Sequence, residues 1–335
     1  MGNDRPHMKQ QCIRAVLAVV ALATYCFPAI ATQPEKQTMQ TTQKTEFKNA
    51  QDFIEFFRQG GKYYDKHKNL PSLMIGNQPN PEAMKALGEE LATSTDDVRD
   101  RIISLLEDIG RFSYPAYELR TPEVIDLMVG PGFAKGDSAR SEAMDLLRKY
   151  ASTATLSRYG DVFLKALKED PEGSALLLIA KVKPNGAREE VNRLSRLPEW
   201  KDEPEMHIAL AALGNTKIED KYIAEAKRKE EAGDATGLAE SFNPLARIGT
   251  PRSLSAICQR LRSPLVVVHV RQESIRLKAM EALIYAFPEE EILLNPSNVL
   301  KEEDYTRVEQ FCTKTLGIRF DGMPRPEFFT TLEVW

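Results

Sequence analysis

LLEDIG at Leu105–Gly110 closes an apolar-periodic stretch, and hexamers of the same design recur along the chain. They are LLRKYA at Leu146–Ala151, LIAKVK at Leu178–Lys183, ALAALG at Ala209–Gly214, PLARIG at Pro244–Gly249 and ALIYAF at Ala282–Phe287. Their second residues are 106, 147, 179, 210, 245 and 283, so the steps are 41, 32, 31, 35 and 38 residues. A repeat of this length marks stacked supersecondary units. Each hexamer closes a helix of about a dozen residues, as its 3.6-residue apolar period requires. A short break follows, and then a second apolar-periodic helix: Pro122–Val129, Arg158–Lys168, Ala187–Leu197, Ile218–Glu230 and Pro251–Leu261. Pro122 and Pro251 suit first-turn positions. Gly110, Gly214 and Gly249 are expected to end helices in the left-handed conformation. One helical pair cannot bury its apolar face alone, whereas stacked neighbours share a continuous core.

Three longer stretches carry a family resemblance. They are DVRDRIISLLEDIGR at Asp97–Arg111, SARSEAMDLLRKYAS at Ser138–Ser152 and IGTPRSLSAICQRLRS at Ile248–Ser263. The first two resemble a HEAT-repeat first helix, with an early Arg and a Leu/Ala closing turn. The third resembles the turn into a second helix, with Thr-Pro-Arg where that family often has Asp-Pro-Arg. The resemblance covers about Pro81–Pro288; Val182–Pro204 departs from it, and Phe47–Leu70 matches nothing. It implies an all-α fold of the armadillo-like kind: an α-solenoid of antiparallel helix pairs in a right-handed superhelix. It also implies protein binding along an inner groove, and it implies no reaction.

The expected repeat domain is 81–317. Before it, 47–80 reads as one helix over Phe47–Tyr64, weakened by Gly60-Gly61, and then a loop over Leu70–Pro81 punctuated by Pro and Gly. Pro81 opens a helix that ends near Thr93. After the last hexamer, Asp304–Leu316 reads as a closing helix. The tail, 318–335, holds Phe320, Phe328, Phe329 and Trp335 and is expected to fold back as an aromatic cap. Leu265–Val270, LVVVHV, has β character but no evident partner run, so an extended loop or buried helix start is preferred to a strand.

Met8–Ala31 has the form of an export signal. Lys9 and Arg14 precede thirteen uncharged residues, Ala15–Phe27, and then Pro28 and the small-x-small triplet Ala29-Ile30-Ala31. The run is shorter than the ~18–20 residues of a spanning helix. Residues 1–31 are therefore read as a signal peptide cleaved after Ala31, with a periplasmic or secreted destination and no stable membrane insertion afterwards. An uncleaved anchor, or a lipoprotein built on Cys26, is the alternative. Residues 32–46, rich in Thr and Gln, read as a flexible linker.

The full chain has 335 residues and a net charge of −4. Without residues 1–31, 42 basic and 48 acidic residues remain, a net of −6. That balance excludes a broadly basic nucleic-acid binder. Only Cys258 and Cys312 survive cleavage. Two separate core thiols are the preferred reading; a disulfide is the alternative in an oxidising compartment.

Signs of catalysis are missing from the motifs. Gly130-Pro131-Gly132 reads as a turn rather than a phosphate loop, and no G-x-S-x-G elbow occurs. His7, His67, His207 and His269 have no second His or Cys at ligand spacing. No catalytic residue, metal ligand or cofactor is assigned.

The clearest charge asymmetry lies in Pro251–Lys278, where Arg252, Arg260, Arg262, Arg271, Arg276 and Lys278 face Glu273 alone. These six are the candidate partner-binding residues, forming a positive groove for an acidic protein. The competing reading pairs them with carboxylates such as Glu281 and Glu289–Glu291, and it is the plainer of the two. The functional expectation is a monomeric, non-catalytic scaffold or inhibitor, such as a toxin-neutralising immunity protein. A helical-toroid hydrolase, or an accessory module of a polysaccharide-active enzyme, is the runner-up.

Overall fold

The structure, a computed structural model, describes residues 49–59, 73–112, 118–268, 272–290 and 301–326. The expected signal peptide and linker lie outside these residues, as do His67, His269, Arg271, Phe328, Phe329 and Trp335. Residues from Glu46 onward form one compact unit.

The chain is mainly helical. In order come α1 (Ala50–Arg58), the strands β1 (Met74–Ile75) and β2 (Gln78–Pro79), α2 (Pro81–Thr93), α3 (Asp96–Phe112), α4 (Pro122–Val129) and α5 (Ser138–Tyr150). Then follow α6 (Gly160–Glu169), α7 (Gly173–Val182), α8 (Ala187–Leu194), α9 (Pro204–Ala212), α10 (Thr216–Glu231), α11 (Ala235–Ile248) and α12 (Pro251–Gln259). The strands β3 (Val266–Val268) and β4 (Gln272–Ser274) precede α13 (Ile275–Ala286) and α14 (Glu302–Leu316). Pro81, Pro122 and Pro251 each stand in the first turn of their helix, where the missing amide proton costs nothing. Thr250 and Ser253 close a reciprocal capping box ahead of α12.

Every recurring hexamer falls at the end of a helix, namely α3, α5, α7, α9, α11 and α13. Each of these helices packs on the next in the series: α3 on α5, α5 on α7, α7 on α9, α9 on α11 and α11 on α13. The intervening helices sit beside them, with α4 against α3 and α5, α8 against α7 and α9, and α10 against α9 and α11. The apolar interior divides in two. One cluster runs from Ala50 to Ala212, with Phe53, Leu91, Leu106, Leu147 and Leu176 at its centre. The other runs from Ala226 to Ile318, around Phe242, Leu245, Ile257 and Leu283. A small third cluster joins Leu177, Ile208 and Ala211 to Ile248.

Polar struts tie successive units together. Arg99, wholly buried in α3, donates from Nε to Asp137 Oδ2 at 2.6 Å and from Nη2 to the Gly132 carbonyl at 3.0 Å. Asp137 also caps α5, accepting from the Arg140 amide at 3.1 Å. Burial opposes the charge of Asp137, but Arg99 and the Arg140 amide outweigh it and hold the carboxyl below its ordinary range. Arg140 repeats the device one unit on, reaching Asp170 at 2.5 Å and Glu172 at 3.5 Å. The early Arg of each of these two first helices thus links to the unit that follows.

Several expectations are corrected. Cys258 in α12 and Cys312 in α14 are not separate thiols: they form a disulfide, with Cα atoms 6.3 Å apart. The two helices pack side by side, which no local signal announces. Within LVVVHV, the described Val266–Val268 form a strand rather than a loop or helix start. Val266–Val268 pairs antiparallel with Gln272–Ser274, a polar strand that lacks the usual β composition. The loop before Pro81 contains a two-residue hairpin, β1 with β2. Gly214 (φ +101) and Gly249 (φ +62) do take the left-handed conformation, but Gly110 lies inside α3. A Cβ there would collide with the Leu119 side chain, so this glycine serves close packing instead of a turn. In the tail, Ile318 is buried and Phe320 packs on the second cluster.

Candidate functional site

The structure places five of the six cations of Pro251–Lys278 in ion pairs. Arg252 reaches Glu219 at 3.3 Å and also Asp220, both on α10. Arg260 is buried, bound to Glu230 at 2.8 Å and to the Ala256 carbonyl at 2.8 Å. Arg262 reaches Glu309 at 2.6 Å and the Met323 carbonyl at 3.2 Å, with Phe320 under its guanidinium. Arg276, also buried, binds Glu302 at 3.1 Å and the Leu261 carbonyl, and stacks 4.1 Å from the Tyr305 ring. Lys278 lies between Glu273 at 2.7 Å and Glu281 at 3.0 Å. Pairing with carboxylates was the plainer of the two readings, and these five cations follow it. Arg260 and Arg276 are internal struts, and Lys278 alone uses a carboxylate, Glu281, that the sequence reading had named as a partner. The carboxylates used by Arg252, Arg260, Arg262 and Arg276 come from other helices, 26 to 47 residues away in sequence.

A different cationic group gathers where the two apolar clusters meet. The ends of α5, α7, α11 and α13 enclose a cavity of about 250 Å³. Its polar lining is Arg148, Lys181, Lys183, Arg247, Tyr285 and Glu289; Leu177, Ile248, Leu254 and Phe287 are among the apolar residues. Helix C-termini carry partial negative charge, so cations settle there readily. Lys181 shows this directly, donating from Nζ to the Arg148 carbonyl at 2.7 Å. Lys183 caps α7 in the left-handed conformation (φ +54), the one non-glycine residue among those described to do so. That conformation is costly for a side-chain-bearing residue.

Capping does not absorb all the polar groups. Arg148 is only 7% exposed and its Nη2 reaches Asp145 at 3.0 Å, but its Nε and Nη1 have no hydrogen-bond partner. The same is true of Arg247 Nε, Tyr285 Oη and Glu289 Oε2. The Arg148 guanidinium lies 5.3 Å from the Tyr285 ring centre. Electrostatics reflect the crowding. Burial lowers Arg148, and the like charge of Arg247 adds to the effect although Asp145 opposes it. Burial takes Lys181 down to about 7, against Glu289 and Glu118 and with help from Arg148. Glu289 is pushed up by burial, with Glu118 and Glu290 adding to the rise and Lys181 opposing it.

The sequence reading passed over these residues although a signal existed. Lys181, Arg247 and Tyr285 each occupy the fourth position of their hexamer, and Arg148 the third of its own. A hexamer read only for its apolar residues hides the polar side chain near its middle.

Other chemistry is thinner. Among the described residues, no group of three or more His, Cys, Asp or Glu is placed to hold a metal ion. His207 bonds the Lys201 carbonyl at 3.0 Å and holds the turn before α9. Asp100 and Glu142 are both raised by burial and by neighbouring carboxylates, but neither lines the cavity. No described helix is long and apolar enough to cross a membrane. Comparison with protein-family models, curated proteins and solved structures finds no match.

Proposed function

We propose that the chain is a non-catalytic, exported helical-repeat protein that binds another protein, built as an α-solenoid of HEAT-like helix pairs. The observation that carries this reading is the packing of each hexamer helix on the next, flanked by the second helices. Nearest-neighbour stacking of this kind leaves extended faces of side chains for a partner. The Cys258–Cys312 disulfide supports export, because such bonds persist in oxidising compartments. Charge pairing in Pro251–Lys278 favours a partner recognised by shape and mixed polarity over one captured by a positive groove.

Affinity capture from a periplasmic extract, at low salt and at ~0.5 M salt, tests the reading. One stoichiometric protein retained in both conditions is the expected result. A partner lost in salt would restore electrostatic capture, and an empty column in both conditions would count against a constitutive protein partner.

A further inference from the structure

We propose that the cavity at the ends of α5, α7, α11 and α13 is a binding site for a small organic acid, its carboxylate held by Arg148 and Arg247. The inference goes beyond the protein-binding reading and does not depend on it.

The argument begins with unmet hydrogen bonding. A buried guanidinium with two unpartnered nitrogens is costly, because its desolvation is not repaid. Arg148 is such a group, and it lines the cavity. Arg247 Nε and Tyr285 Oη are further unpartnered groups on the same lining, contributed by two other helices. The fork of a guanidinium matches the two oxygens of a carboxylate. The lining carries Arg148, Arg247 and Lys183 against one carboxylate, Glu289, with Lys181 brought down to about 7 and Asp145 already paired with Arg148. Glu289 faces the same space, and burial raises its pKa, which weakens its opposition to an anion there.

The ligand also needs an apolar body. Leu177, Ile248, Leu254 and Phe287 cover the rest of the wall. About 250 Å³ accommodates a single ring or a short chain. A few fixed polar groups in an otherwise apolar cleft is the usual form of a small-molecule site.

Benzoate and its neutral isostere benzamide are suitable probes, titrated calorimetrically into the full chain. Saturable one-to-one binding of benzoate, with benzamide at least about tenfold weaker, is expected from loss of a charge-assisted bidentate contact. Arg247→Gln and Tyr285→Phe remove unpartnered donors from partly exposed side chains, and each should weaken benzoate with an unchanged melting temperature. Arg148→Gln should weaken it most, its melt being recorded beside the titration. Absence of saturable benzoate binding, equal affinity for benzamide, or full affinity in a normally melting Arg247→Gln protein would overturn the assignment.

Discussion

The two apolar clusters are closed by different means. The N-terminal region, Ala50–Ala212, is joined across its turns by arginines that reach forward to the next unit, Arg99 to Asp137 and Arg140 to Asp170. The C-terminal region, Ala226–Ile318, uses a covalent link between α12 and α14 and a denser set of buried pairs, Arg260–Glu230, Arg262–Glu309 and Arg276–Glu302. The contrast follows from regularity. Where α3 and α5 repeat closely in sequence, one early arginine in each reaches the next unit. Where the hairpin β3–β4 interrupts the series, the junction needs its own fasteners. Helices that pack mainly on their neighbours are held by those interfaces, so each kind of closure should fail separately.

The largest expected effect is in the N-terminal region. Arg99→Met takes one donor from Asp137 and the donor from the Leu91, Pro131 and Gly132 carbonyls, and should cost about 3–5 kcal/mol, as removal of one member of a buried pair does. Hydrogen exchange should speed in α3 and α5 and change little in α12 and α14. Equal loss of protection at both ends would break the contrast and show a single cooperative unit.

Next is the C-terminal fastener. Reduction, or Cys258→Ser with Cys312→Ser, opens a closed loop of 54-residue separation and should cost about 2–4 kcal/mol. Protection should then fall first in α12 and α14. Uniform loss along the chain would again argue against separate closure.

The smallest effect sharpens the boundary between the regions. Lys181 sits at the meeting of the clusters with its pKa brought down to about 7. Between pH 7 and the ordinary lysine range the unfolded chain holds this proton and the folded chain releases it, so the group makes stability rise with pH there. Below pH 7 both states are protonated and the full desolvation cost is paid. Lys181→Met should therefore stabilise by about 1 kcal/mol at pH 6–7, one pKa unit's worth after allowance for its partly exposed stem, and the gain should shrink toward pH 10. Arg148, Lys183, Arg247, Glu118 and Glu289 surround it, so denaturant titrations of both proteins at each pH are compared as differences. A gain independent of pH would place the ammonium in solvent.

Local information was legible wherever the physics is local. The apolar period placed α2 and α4 with their observed ends, and Pro81, Pro122 and Pro251 marked helix starts because a first-turn residue needs no amide proton. The hexamers marked helix ends for the same reason: side chains one turn apart share a face. Gly110 misled, since a glycine chosen for close approach to Leu119 looks the same in sequence as one chosen for a turn.

The candidate site was hardly legible. The cations at Pro251–Lys278 were conspicuous as a run, but the carboxylates that meet Arg252, Arg260, Arg262 and Arg276 arrive from α10 and α14. Arg148, Lys181 and Arg247 are dispersed over about a hundred residues and are drawn together because successive helices stack.

What the sequence determined by itself was the helical period and the places where several helices begin and end, all set within a few residues of chain. Tertiary structure alone decided which charges are cancelled, which thiols meet, which strand Val266–Val268 pairs with and where a cavity remains. Those outcomes depend on contacts between segments 30 or more residues apart for most of the struts and for the disulfide, where packing and desolvation, not local propensity, set the free energy.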